Sequence, residues 1–232
     1  MKAIRKPLLG IVAALLTAGA SMAHADIRIT EVAPWASGNA PYATDWFELT
    51  NTGASAINIS GWKVDDNSGS FASALALRGV SSIAAGQSVI FIEGKADGLT
   101  DSAINAAFTA AWFGANAPVG LTIGNYGGSG IGLGTGGDAV NIFNASGALQ
   151  AKVTFGASDS ISPYQTFDNA AGLNNTAISQ LSVVGVNGAF VASASAEFGS
   201  PGSIAAVPEP ENYAMLLAGL GLIGAIARKR QR

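Results

Sequence analysis

Carboxylates are the reactive groups that this sequence holds in number. It has 15 Asp and Glu, 12 Lys and Arg, one His and no Cys in 232 residues. Thirteen of the acids fall between residues 26 and 207, where Arg28, Lys63, Arg78, Lys95 and Lys152 are the only bases, so that stretch has a formal charge of −8. A body this acidic repels phosphate backbones, which excludes nucleic acid as a general partner. Two acids roughly 5–10 Å apart across a cleft would make a glycosidase pair, but spacing along the chain singles out no pair. Glu48 lies in a strand-like run whose neighbours Phe47 and Leu49 point to the opposite face. A buried carboxylate there must be held by hydrogen bonds or a cation. Catalysis by Glu48 or Glu31 would need a second acid and a cleft, so structural pairing is the expectation for both.

Two further patterns carry chemistry by letter. Asp65-Asp66-Asn67-Ser68-Gly69-Ser70 gathers oxygen ligands in one turn, which makes Asp65, Asp66 and Asn67 a candidate calcium site. The segment lacks the alternating acids and distal Glu of a hand-type loop. Asx-rich turns also commonly satisfy their own backbone, so no metal is assigned. Gly132-x-Gly134-x-x-Gly137 matches a dinucleotide fingerprint, but Asp138 to Phe143 after it has strand character rather than helix. Seven of the eleven residues from Gly127 to Gly137 are Gly, which predicts a flexible surface loop. No cofactor is expected.

The two ends look like addresses. Lys2, Arg5 and Lys6 precede an apolar run from Leu8 to Ala20, and Ala23-His24-Ala25 supplies a small-x-small cleavage pattern. Residues 1–25 are therefore expected to be a signal peptide, cut by signal peptidase after Ala25 to leave Asp26 first. His24 leaves with it. Without His or Cys, Ser-His-Asp and Cys-His nucleophiles and His- or Cys-ligated zinc and haem are excluded. At the other end, Tyr213 to Ala227 is apolar and Arg228, Lys229, Arg230 and Arg232 follow it. Fifteen helical residues span about 22 Å, short of a ~30 Å hydrocarbon core. With Tyr213 at one interface and the basic residues snorkelling at the other, 213–227 is expected to be a strained transmembrane helix and 228–232 a cytoplasmic tail.

Residues 203–212 form the expected linker, and Pro208-Glu209-Pro210 stands in it. The order Pro-Glu-Pro, short Gly-rich apolar helix and terminal basic cluster closely resembles the PEP-CTERM sorting signal of Gram-negative bacteria. The resemblance implies recognition by an exosortase and cleavage near Pro208–Pro210. It also implies transient anchoring in the inner membrane, then release to the cell surface and its exopolysaccharide matrix.

Between the ends, short β-rich runs alternate with Gly, Asn, Asp and Ser: Ile27 to Val32, Trp46 to Thr50, Ile57 to Ile59, Trp62 to Val64, Val89 to Ile92, Ala139 to Phe143 and Leu149 to Phe155. The last two flank Asn144-Ala145-Ser146-Gly147, a hairpin connection. The pattern predicts a mainly β chain forming an antiparallel sandwich or barrel. One insertion, Asp101 to Phe113, places Ile104, Phe108 and Trp112 on one helical face that packs on the sandwich. Trp62 is expected to be an inter-sheet core aromatic. Trp35, in a Pro/Gly/Asn context, is the better candidate for an exposed sugar-stacking platform.

The runs Ile29-Thr30-Glu31-Val32, Asp45-Trp46-Phe47-Glu48-Leu49-Thr50-Asn51 and Ile59-Ser60-Gly61-Trp62-Lys63-Val64 together resemble the opening strands of a lamin-tail domain. Gly137-Asp138-Ala139-Val140 and Gly199-Ser200-Pro201-Gly202 resemble its later strand and its closing turn. The resemblance covers residues 26–202, best over 26–156. It implies an immunoglobulin-like antiparallel β-sandwich and a non-enzymatic binding or scaffolding module, with exopolysaccharide or surface proteins as ligands. Two alternatives stay open: a carboxylate-dependent hydrolase of matrix glycans, and a calcium-stabilised adhesive module.

Overall fold

The computed structural model describes residues 27–35, 39–127, 131–158, 161–203 and 220. In chain order its strands are β1 (Ile27–Ala33), β2 (Trp46–Asn51), β3 (Ile57–Asn58), β4 (Lys63–Asp65), β5 (Leu75–Ala76), β6 (Ser82–Ile83) and β7 (Ser88–Gly94). A helix, α1 (Asp101–Phe113), is followed by β8 (Ile123–Gly127), β9 (Asp138–Phe143), β10 (Leu149–Phe155), β11 (Tyr164–Gln165), β12 (Phe167–Asp168), β13 (Thr176–Ile178), β14 (Phe190–Val191) and β15 (Glu197–Gly199). Two five-stranded sheets form the sandwich, in the orders β12-β1-β2-β7-β8 and β13-β10-β9-β4-β5. The chain is mainly β, as expected, and α1 has the bounds that the apolar spacing predicts.

The inter-sheet core is apolar and continuous. Ile29, Phe47, Leu49, Val89, Phe91 and Tyr126 of the first sheet meet Val64, Val140, Ile142, Val153 and Phe155 of the second. Trp62 lies in this core, as its sequence context predicts. So do Ile131 and Leu133, 2 % and 3 % exposed, which corrects the expectation of a surface loop for that stretch. The glycines there let the backbone turn, while the two large apolar side chains between them anchor it inward.

A second apolar layer covers the other face of the β1-containing sheet. Trp46, Ile90 and Ile92 project there and pack against Phe108, Ala111, Trp112 and Phe113 of α1, together with Trp35 and Tyr42. This sheet is covered on both faces, so all six residues of β2 are buried and the in–out alternation of polarity fails. Trp35 is corrected from an exposed platform to a buried side chain: it is 0 % exposed, stacks on Tyr164 at 5.4 Å and donates through Nε1 to the Gln165 carbonyl at 2.8 Å.

Residues 161–203 are woven into the same body. β12 pairs with β1, β13 runs parallel to β10, and β15 joins β11 and β14 in a small three-stranded sheet. Among the described residues no helix is long and apolar enough to cross a membrane. Of the expected span 213–227, only residue 220 is described.

Candidate functional site: a carboxylate pair beneath the closing turn

A β-bulge builds the site. In the β1–β2 ladder Ile29 pairs with Leu49, and the next pair is Glu31 with Glu48, so Thr30 is the extra residue. A bulge sets two residues of one strand against one of its partner. Ile29 and Val32 therefore both reach the inter-sheet core. The Thr30 hydroxyl donates to Glu48 Oε1 at 2.6 Å, on the face of β2 opposite Phe47 and Leu49. Without the bulge, Glu31 or Val32 would occupy the wrong face.

Glu31 and Glu48 are each 1 % exposed. Their donors come from both ends of the chain. Glu31 Oε1 accepts from the Thr166 hydroxyl at 2.5 Å and from the Ser200 backbone N–H at 2.8 Å, and Oε2 from the Ser200 hydroxyl at 3.3 Å. Glu48 Oε2 accepts from the Gly202 N–H at 2.6 Å. The Gly199–Gly202 turn is thus pinned by its own backbone amides onto two carboxylates more than 150 residues away. Gly199 is required by close approach: a Cβ there would press on Glu31 Oε1 and lie 2.9 Å from both Thr166 Cγ2 and Trp112.

Burial pushes the Glu31 carboxyl up to about 8, with the Glu48 charge and more distantly Asp168 adding to it, against the hydrogen bonds from Thr166 and Ser200. Burial likewise pushes Glu48 up to about 7, against hydrogen bonds from Thr30, Gly202 and Ser88. Two buried carboxylates paired across the ladder cannot both ionise cheaply. At neutral pH the pair retains protons that either acid alone in water would lose.

A third acid completes the layer. Glu197, fully buried, accepts a very short hydrogen bond from the Tyr42 hydroxyl, and Glu197 Oε2 accepts from the Ser195 hydroxyl at 2.5 Å. The same Tyr42 oxygen accepts from Trp46 Nε1 at 3.1 Å and Trp112 Nε1 at 3.2 Å, tying β2, α1 and β15 at one atom. Burial raises the carboxyl of Glu197 as well. Every carboxylate of this layer spends its oxygens on donors of the fold. Such an arrangement fixes backbone, while burial is what holds the protons.

A cleft of about 190 Å³ opens beside the closing turn, lined by Gln87, Ser88, Pro118, Leu121, Thr122 and Gly202 among others. Ser88 is half-buried at its edge. From there a file of hydroxyls runs inward: Ser88 Oγ to Thr50 Oγ1 at 2.6 Å, Thr50 to Thr30 at 2.9 Å, and Thr30 to Glu48.

The candidate calcium residues gather elsewhere. Asp65 is fully buried and accepts from the Ser68 hydroxyl (2.6 Å), the Ser70 N–H (2.7 Å) and the Ser73 hydroxyl (3.0 Å). Asp66 Oδ1 accepts the Ser68 N–H, and the Asn67 N–H donates to Asp138 Oδ1. The turn satisfies its own donors. No group of three or more His, Cys, Asp or Glu among the described residues could hold a metal ion. The sorting residues Pro208, Glu209 and Pro210, the cleavage residues Ala23, Ala25 and Asp26, and the basic residues Arg228, Lys229, Arg230 and Arg232 lie outside the described residues.

In the sequence Glu31 and Glu48 stand singly, in separate strand motifs, and only the bulged ladder pairs them. The available signal was the broken alternation at Ile29-Thr30-Glu31-Val32, where two polar residues stand between two core residues.

A family model for the Lamin Tail Domain matches residues 20–157, and one for the PEP-CTERM protein-sorting motif matches residues 206–231. Neither a curated protein nor a solved structure matches the chain. Both matched families are non-catalytic, and the sorting motif marks export, surface sorting in Gram-negative bacteria and processing by exosortase. Glu31 and Glu48 lie inside the lamin-tail match, while the groups that cover them, Thr166, Ser200 and Gly202, lie beyond it. With its opening strands and more than half its length matched by that model, the chain belongs to the lamin tail domain family.

Proposed function

We propose that the chain is a surface-displayed contact module. Its signal peptide is removed, residues 213–227 hold it briefly in the inner membrane, and exosortase cleavage near Pro208–Pro210 frees the folded body for the cell surface and matrix. There the loops of the sandwich bind exopolysaccharide or surface proteins, since loops on a rigid scaffold are the usual carriers of binding. One observation carries the reading: the sorting motif follows almost directly on the closing turn. Five residue steps separate Ser203 from Pro208, at most about 17 Å of extended chain, which places the motif within easy reach of the turn that closes over Glu31 and Glu48. The formal charge of −8 favours neutral or cation-bridged polysaccharide over strongly anionic chains.

Mass spectrometry of the protein recovered from native-host surface fractions tests this. The expected mature chain starts at Asp26 and ends near Pro208–Pro210. Recovery of chains that retain residues 211–232 in the surface fraction overturns the processing.

A glycan hydrolase is the competing reading, and the Glu31–Glu48 pair is what favours it. Against it stands the enclosure of both acids, each 1 % exposed with its oxygens engaged. Turnover of matrix polysaccharide by the purified protein, abolished in Glu48→Gln, would replace contact with catalysis.

A further inference from the structure

We propose that the closing turn is a proton-operated latch: protons held on the neighbouring acids Glu31 and Glu48 keep residues Gly199–Gly202 docked, and their loss releases that turn from the sandwich while β1 and β2 stay paired. The geometry supplies each part. The two acids face each other in the ladder, so ionising both sets like charges side by side in a buried layer. Something must then yield. β1 and β2 are held by their mutual ladder and by the inter-sheet core behind them. The turn is held by far less. Its ties are the Ser200 and Gly202 contacts with the two carboxylates, and the short β15, which pairs over two residues with β11 and two with β14 and is anchored by Glu197 on Tyr42 and Ser195. Lifting the turn admits water to both carboxylates and relieves the repulsion without disturbing the core.

Protons have a path. The hydroxyl file Ser88–Thr50–Thr30 connects the cleft edge to Glu48 Oε1, and Gly202, the last residue of the turn, lines the same cleft. Among the described residues, the charged groups around the pair have partners of their own. From β12 comes Asp168, opposite Glu31 and itself accepting from Ala170 N–H and Asn187 Nδ2. From β15 comes Glu197, turned to Tyr42 and Ser195. On β1 itself Arg28 sends its guanidinium to the Gly172 carbonyl. The single charge of α1, Asp101, pairs with Arg78. Beside Glu48, β2 and β7 add the hydroxyls of Thr50 and Ser88, and the acid of β7, Glu93, stands three residues beyond Ile90, the cross-strand partner of Glu48. Burial and mutual repulsion place the transition near neutrality rather than in acid.

Hydrogen exchange on the full-length chain, purified in detergent, tests the latch. Amide protection is measured for the segment 197–203 and for the β9–β10 hairpin from pH 6 to pH 9, corrected for the intrinsic pH dependence of exchange. The segment is expected to lose protection on the order of tenfold or more while the hairpin stays constant. In Glu48→Gln, which removes the second charge, the loss is expected to vanish. Protection of 197–203 that is flat with pH in the wild type overturns the latch, and so does an undiminished loss in Glu48→Gln. Should that variant not fold, infrared spectroscopy of the wild type decides. A neutral buried carboxyl stretch at pH 6 that disappears together with the protection supports the proposal. Its absence at pH 6 overturns it.

Discussion

Glu31 and Glu48 are cross-strand neighbours in β1 and β2, and each receives a backbone N–H from the turn that ends the described body. Their raised pKa values set a sign for stability against pH. In the unfolded chain both titrate near 4.5, whereas in the fold they titrate at about 8 and about 7. The folded state binds more protons across that interval. Stabilisation by the pair is therefore complete below about pH 4.5 and is lost as pH rises through 7 to 8. Thermal melts from pH 5 to pH 8.5 are expected to show Tm falling by roughly 2–10 °C, equivalent to about 1–3 kcal/mol. Glu31→Gln and Glu48→Gln should each flatten the slope. A Tm that rises over this range would show that the pair does not carry the dominant linkage.

Gly199 has no room for a methyl group. Glu31, Thr166 and Trp112 surround the position that a Cβ would occupy, and none of them is a free surface tip. Gly199→Ala is expected to destabilise by about 1–3 kcal/mol through overpacking. Denaturant titration reads the change as a lower midpoint at unchanged slope. A neutral substitution would mean that the turn can shift off the carboxylates at little cost.

The bulge at Thr30 sets the faces of β1. Deleting Thr30 pulls every residue on one side of it through one step of a period-two strand, which exchanges core and outer faces. Either Glu31 enters the inter-sheet core or Ile27 and Ile29 leave it. The deletion is expected to abolish cooperative unfolding and near-ultraviolet signal, whereas Thr30→Val, which keeps the residue count, should fold with a cost of about 1–3 kcal/mol from the donor lost to Glu48. A folded deletion variant would show that β1 can pair in a second register.

Much of the fold was legible because local pattern and final environment agree. Asp101–Phe113 has helical apolar spacing and forms α1; Asn144 to Gly147 joins β9 to β10; Trp62 reaches the core. Legibility failed where a second layer covers the sheet. Trp35 sits in loop-like sequence, and only the stack of Tyr164 and the cover of α1 make it interior. Ile131 and Leu133 are hidden among glycines yet buried. The carboxylate site was half legible. Glu31 and Glu48 stand in recognisable strand motifs, but their juxtaposition depends on one bulge. Their enclosure depends on Thr166, Ser200 and Gly202, groups whose partnership is set by tertiary closure rather than by anything near them in sequence.

Asp65 spends both carboxylate oxygens on its own turn, so the turn's stability should be indifferent to calcium. Adding a chelator is expected to leave Tm unchanged. Asp65→Ala is expected to cost about 1–3 kcal/mol, because it removes the buried acceptor on which Ser68, Ser70 and Ser73 converge. A chelator-dependent fall in Tm, reversed by added calcium and absent in Asp65→Asn, would restore a cation to the turn.

Arg78 and Asp101 make a different kind of pair. Nε and Nη2 of Arg78 grip the two carboxylate oxygens at 2.5 and 2.8 Å, and Nη2 also donates to the Lys95 carbonyl at 2.7 Å. The geometry is bidentate, and Asp101 sits in the first turn of α1, where a negative charge also suits the helix dipole. Yet the side chains remain 27 % and 18 % exposed, so water and salt screen the attraction. Asp101→Asn is therefore expected to cost about 0.5–1 kcal/mol at low salt, below the cost of Asp65→Ala, and the difference should shrink as ionic strength rises. Because Arg78 also bridges to the 95–98 loop, the loss should appear as faster exchange at the α1 N-terminus rather than at Phe108 and Trp112, whose burial against Trp46 is independent of the ion pair. A large, salt-insensitive loss would show instead that this pair, and not the aromatic layer, holds α1 to the sheet.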